Sequence, residues 1–165
     1  MTLTPLTQDN LTEHFFLSEV THSDIAERKS MDNTLPADLM TAAYKTAVGM
    51  EKVRACLGNK SISVSSWYRC LQLNQFLGSK DTSQHRKAEA VDFTCPAYGS
   101  PADVVKKLAA NKDLIRFDQL ILEHTWIHIS WNSNPGGTQK GEVLSLLSNG
   151  GYAIGITDKF GVTLA

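Results

Sequence analysis

Apolar and polar positions follow two different periods along the chain, and the switches between them mark its elements. Ser18 followed by Glu19 opens a short helix over 18–29. Pro36, Ala37 and Asp38 begin a longer one, with Leu39, Ala43, Ala47, Met50, Val53 and Leu57 at helical spacing, and Gly58-Asn59 stops it. Residues 71–77 form a short helix ended by Gly78-Ser79, and Pro101 starts another that runs to about 110. Between these the period is two. Ile62 and Val64 alternate with serines over 61–66, a half-buried strand. Over 89–95, Val91, Phe93 and Cys95 face one way and Ala90, Asp92 and Thr94 the other. Residues 118–123 and 126–131 pattern as the two strands of a hairpin.

Segment 80–88 is polar and expected to be a loop, and 132–137 is a turn-rich exit. In the tail, 143–147 is expected to be a short helix and 152–157 a terminal strand. Strands and helices mix without regular βαβ alternation, so the class is α+β, a small antiparallel sheet flanked by helices. The chain has 165 residues and no internal repeat, which suits one domain over 1–165 with a poorly patterned tail at 138–165.

Composition narrows the function classes. Hydrophobic residues are 42% of the chain, enough for an ordinary core, and no apolar run is long enough to span a bilayer. The net charge is −1 with no basic stripe, which argues against nucleic acid as a partner. The opening stretch lacks a basic region followed by an apolar one, so no secretory leader is expected. Cys56, Cys70 and Cys95 are an odd number at irregular spacing, which fits small buried thiols better than a disulfide framework.

The chemistry gathers in the second half. His85 on the polar loop and Asp92 on the next strand lie seven residues apart. An aspartate inside a β run is disfavoured and needs a compensating partner, such as a cation. A catalytic zinc takes three protein ligands and keeps one position for water. A surface carboxylate and an unrelated loop histidine would also explain the pair. The hairpin sharpens the reading. If its loop is His124-Thr125, Glu123 pairs with Trp126, Leu122 with Ile127 and Ile121 with His128. Paired residues share a sheet face, so Glu123, Trp126, His128 and Ser130 point the same way. A metal lowers the pKa of bound water to about 7, and an adjacent carboxylate such as Glu123 can take the proton and pass it to a leaving amine. The alternative is a cross-strand polar pair on a solvated face. His14, His22 and His124 lack a partner at a telling spacing and are expected to be surface or locally bonded residues.

The segment Ser83-Gln84-His85-Arg86-Lys87-Ala88-Glu89-Ala90-Val91-Asp92 resembles the SxHxxGxAxD motif of the zinc murein peptidases. These are the D-Ala-D-Ala carboxypeptidases and L-Ala-D-Glu endopeptidases, which share a hedgehog-like fold. Residues 123–130, EHTWIHIS, resemble that family's acid followed by WxH, and Ser65-Ser66-Trp67-Tyr68-Arg69 its S-x-YR segment. Asn74 falls where the family often has asparagine. The resemblance covers about residues 15–131, and the opening is similar to the phage-associated branch. It implies zinc held by His85, Asp92 and His128, Glu123 as general base, and Arg69 steadying the substrate carbonyl or developing oxyanion. It implies substrate contacts at Ser83, Gln84, Tyr68 and Trp126. The expected substrate is the peptidoglycan stem peptide, and the expected state a monomer that does not insert into membranes.

Three positions depart from the pattern. Ala88 replaces the motif glycine, which matters if that position needs a positive φ and matters little if it needs only a small side chain. Leu77-Gly78-Ser79 stands where many members have a double glycine, and the spacing from Glu123 to His128 is five positions where several relatives use three. A catalytically inactive binding or structural module with the same fold and zinc site is the second reading, favoured by Ala88. Without a leader, access to the cell wall is expected through phage-type release or from a virion.

Overall fold

The computed structural model describes residues 9–164, so part of the opening stretch that bears on a leader lies outside the described residues. These residues form a six-stranded sheet in the order β1-β2-β4-β3-β5-β6. Its strands are β1 (Ser63–Ser66), β2 (Ala90–Thr94), β3 (Gln119–Glu123), β4 (Trp126–Ser130), β5 (Glu142–Leu146) and β6 (Tyr152–Ile154). Every neighbouring pair is antiparallel except β3 with β5, which run parallel. The helices are α1 (Leu17–Thr21), α2 (Asp24–Arg28), α3 (Met40–Cys56), α4 (Leu71–Phe76), α5 (Pro101–Ala110) and α6 (Lys112–Ile115). The α+β class is therefore as expected.

The register gives the two sheet faces different roles. Val91 pairs with Ile129 and Phe93 with Ile127, while Leu120 and Leu122 meet the same two β4 residues from the other side. All six are buried, and they pack in one core with Ala43, Ala47, Met50 and Val53 of α3 and Val104, Val105 and Leu108 of α5. Alternation sends Asp92, Ile121, Glu123, Trp126 and His128 to the opposite face. One apolar layer thus fixes where every polar group on the other side stands.

The hairpin has the register expected for a His124-Thr125 loop, with Glu123 opposite Trp126 and Ile121 opposite His128. The turn is made with His124 at φ 44, a left-handed value uncommon outside glycine. Long helix α3 also matches, preceded by a 3₁₀ turn at Ala37–Leu39. Gly49 sits inside it because a Cβ there would overlap the Trp131 indole.

Two expectations are corrected. The helix over 18–29 is two helices, because His22 adopts an extended backbone (ψ 133) and Ser23 caps α2 by accepting from the Ala26 N–H at 3.2 Å. The expected helix at 143–147 is strand β5, whose backbone groups pair with the free edge of β3. Helix propensity of its leucines loses to that open edge. The loop over 80–88 contains a 3₁₀ turn at Gln84–Lys87, and α6 had no pattern to announce it. The three cysteines are free thiols.

Candidate metal centre and active-site cleft

Each side chain of the site is placed by a local device. His85 lies on the 3₁₀ turn Gln84–Lys87, which Ser83 caps by accepting from the His85 N–H at 3.3 Å. The turn closes with Ala88 at φ 57, so this position does need the left-handed conformation. The Ala88 carbonyl is held there by the Thr46 hydroxyl at 3.0 Å and the Trp67 indole N–H at 3.1 Å. An alanine in this conformation costs roughly 1–2 kcal/mol relative to the ordinary helical region, and two buried hydrogen bonds oppose that cost.

Asp92 on β2 faces His128 on β4 directly across the ladder. Asp92 Oδ1 is 3.2 Å from His85 Nε2 and 2.9 Å from His128 Nδ1. The other nitrogen of His85, Nδ1, lies 2.6 Å from the Trp67 carbonyl. A carbonyl only accepts, so Nδ1 carries a proton, which leaves Nε2 as the atom that would ligate a metal. Burial holds His85 below the ordinary histidine value, although the Asp92 carboxylate pulls the other way. Burial alone would raise Asp92, but the charges and hydrogen bonds of His85 and His128 outweigh it and hold the carboxyl well below the usual range. A neutral imidazole and an ionised carboxylate are the states in which these groups ligate metals.

The ligand atoms of His85, Asp92 and His128 all lie within 4.8 Å of one another. Atoms about 2.0–2.1 Å from a tetrahedral zinc stand about 3.4 Å apart, close to the separations here. Two imidazoles, one carboxylate and an orienting carbonyl behind His85 fit a catalytic zinc. His22, Asp24 and Glu27 form a second such group, on the exposed surface. There His22 Nε2 faces Asp24 at 3.1 Å and Nδ1 faces Glu27 at 3.3 Å. Exposed acidic groups of this kind are common without an ion, and none of the three lines the cleft that holds His85.

Arg69 locks the remaining oxygen of Asp92. Its Nη2 donates to Asp92 Oδ2 at 2.9 Å, its Nε to Ser66 Oγ at 3.0 Å and its Nη1 to Ser79 Oγ at 3.3 Å. A bulge in β1 between Val64 and Ser66 sets Ser66 opposite Asp92, where it can receive that contact. Buried Asn33 brackets the arginine by donating to the Tyr68 carbonyl at 3.1 Å and accepting from the Cys70 N–H at 2.7 Å. Asn74 donates to the Ser79 and Lys80 carbonyls at 3.4 and 2.9 Å and so shapes the loop before His85. Gly78, at φ 72, ends α4 alone, where many members of the resembled family have two glycines.

His85, Asp92, His128 and Arg69 line one cleft of about 940 Å³, together with Glu123, Trp126, Ser83 and Gln84. Burial pushes Glu123 above the ordinary glutamate value; Asp92 pushes the same way, while His128 and Arg69 oppose them. Such a carboxylate, beside a metal site and raised toward neutrality, suits a base. Of the expected substrate contacts, Tyr68 is placed elsewhere. It is 4% exposed in the core, and its backbone N–H bonds to the Val20 carbonyl. Sequence patterning missed Asp118, a buried carboxylate that accepts from Gln84 Nε2 at 3.2 Å and from the Lys140 N–H at 3.1 Å. It also missed Leu144 and Tyr152 in the cleft wall, which lie in the tail.

Residues 13–130 match the family model described as Peptidase M15. The chain belongs to the peptidase M15 family. That stretch holds all three candidate ligands, Arg69 and Glu123. No curated protein matches the chain. M15 members of this kind are zinc D-Ala-D-Ala carboxypeptidase-like enzymes, and membership makes the chain a zinc peptidase acting on peptidoglycan-type substrates. Among the described residues no helix is long and apolar enough to cross a membrane.

Proposed function

We propose that this M15 peptidase hydrolyses a peptide bond of the peptidoglycan stem peptide, with zinc held by His85, Asp92 and His128 and Glu123 as general base. The observation that carries the reading is the convergence of the three ligand atoms on the sheet face that also bears Glu123. Zinc bound there supplies Lewis acidity, polarising a carbonyl and lowering the pKa of a water to about 7.

The chain's own residues do the rest. Glu123 takes a proton from the attacking water and returns it to the leaving amine, for which a raised pKa is an advantage. Arg69 holds Asp92 in orientation through Oδ2 and keeps a positive charge at the cleft, where oxyanion charge develops. Ser83 and Gln84 order the ligand turn from the cleft side, and Trp126 walls the cleft next to Glu123. Such a substrate sets the site of action at the bacterial wall, reached by phage-type release or from a virion, by a protein acting as a monomer.

An inactive module with the same fold was favoured by Ala88. That position keeps the left-handed backbone with alanine in place, which supports the catalytic reading. The test is turnover of purified murein by the wild type, by Glu123→Ala and by chelated protein, with mass spectrometry of the released fragments. New amino groups should appear with wild type alone, and the fragment masses identify the bond. Cleavage by Glu123→Ala at the wild-type rate would remove Glu123 from the mechanism.

A further inference from the structure

The family match ends at residue 130, yet the cleft does not. Strand β5 lies beside β3, and β6 beside β5, so the sheet continues past the matched stretch on the side of Glu123 away from β4. Leu144 of β5, Gly150 of the β5–β6 turn and Tyr152 of β6 all line the cleft. Trp126 pairs with Glu123 from β4. Glu123 therefore has an aromatic residue on either side of it, Trp126 one strand away and Tyr152 two strands away in the other direction. Tyr152 is 51% exposed, so its ring is open to a ligand.

We propose that Tyr152 is a substrate-contacting specificity residue. It forms the second aromatic wall of the cleft and grips the peptide group next to the bond cleaved at Glu123. This rests on the peptidase reading above. Tyrosine has the right chemistry for such a grip, since a planar peptide group stacks on an aromatic face and a phenol donates to a carbonyl oxygen. Burial raises the Tyr152 phenol, and the Glu123 and Asp92 carboxylates raise it further. The hydroxyl therefore stays protonated as a donor. The same hairpin supplies its own control. Ile154, two residues on, is 89% exposed and does not line the cleft.

Two measurements separate this proposal from the reading it rests on. The first is binding of a defined muropeptide to zinc-loaded Glu123→Ala, with and without Tyr152→Ala. The second is the kinetics of Tyr152→Ala, Tyr152→Phe and Ile154→Ala. Tyr152→Ala should weaken binding and raise KM by about 5- to 10-fold, with kcat changed less than about twofold, as expected when uniform binding is lost. Tyr152→Phe should recover part of the loss, and Ile154→Ala should match wild type. Unchanged Kd and KM in Tyr152→Ala, with wild-type cleavage intact, would overturn the proposal and leave the peptidase reading standing. Binding that depends on Tyr152 in a protein that never cleaves would do the reverse. Absence of both binding and cleavage would remove both.

Discussion

Asp92 and His128 face each other across β2 and β4, with the carboxylate Oδ1 2.9 Å from the imidazole Nδ1. The same oxygen lies 3.2 Å from His85 Nε2, so one atom is the hinge of the ligand set. Asp92→Asn keeps the shape but removes the charge and leaves the Arg69 guanidinium without its anion. Zinc affinity should fall by at least about 100-fold, beyond the loss typical of supporting residues. Metal content after dialysis measures this, and a variant that retains stoichiometric zinc would show that the ion is held elsewhere.

Arg69 makes three different side-chain contacts with three different nitrogens. Lysine keeps the charge but not the planar fork. Arg69→Lys should lower kcat/KM by about 100-fold, in the range seen when a preorganised donor is lost, and should leave the fold intact by circular dichroism. Full activity in the lysine variant would mean that charge alone suffices.

Ala88 is buried at φ 57. Ala88→Gly relieves roughly 1–2 kcal/mol of left-handed cost and gives back about 0.4–1 kcal/mol in unfolded-chain entropy. Urea unfolding should therefore show a neutral to slightly stabilised protein. Ala88→Val adds a β-branched side chain in the same conformation and should destabilise by about 2 kcal/mol or more. A valine variant as stable as wild type would contradict the tight turn.

Glu51 ties α3 to the segment before α1, accepting from the His14 backbone N–H at 2.8 Å and facing His14 Nδ1 at 2.9 Å. Burial raises Glu51, but the hydrogen bonds it accepts and the His14 charge outweigh that and leave it below its ordinary 4.5. A depressed folded-state pKa stabilises above the unfolded value, and that contribution is lost as pH falls below about 4.5 through the folded value. Glu51→Gln should cost up to about 1 kcal/mol at pH 7, as for partly screened pairs, and progressively less below pH 4.5. Paired urea titrations at pH 7 and about pH 3.5 test this; a difference that grows on acidification would reverse the sign.

The sheet face carrying the site was legible because period-two alternation is a local property. Once Ile127 and Ile129 are assigned to the core, His128 has only one side left. Register was legible too, since a two-residue loop at His124-Thr125 determines every pair behind it. Three kinds of feature were not. Tyr68 alternates with nothing that reveals its burial, so its neighbour Arg69 misleads about where it points. Asp118 looks like any strand-opening acid until Gln84 and Lys140 arrive from distant parts of the chain. Residues 143–147 have apolar spacing compatible with helix or strand, and only the vacant edge of β3 decides between them. Gly49 is the converse case: its cost inside a helix is visible in sequence, and its reason is the distant Trp131 ring.

The parallel pairing of β3 with β5 also bears on how the enzyme avoids sticking to itself. Without β5, β3 would end the sheet as a row of unsatisfied amides and carbonyls beside apolar Leu120 and Leu122. Such a border invites another copy to dock on it and grow a fibre or an exchanged dimer. Strands β5 and β6 act as a seal on that border. The stretch shared with the family therefore cannot be cut out of this chain and moved as a portable cassette unless its new host supplies a seal of its own.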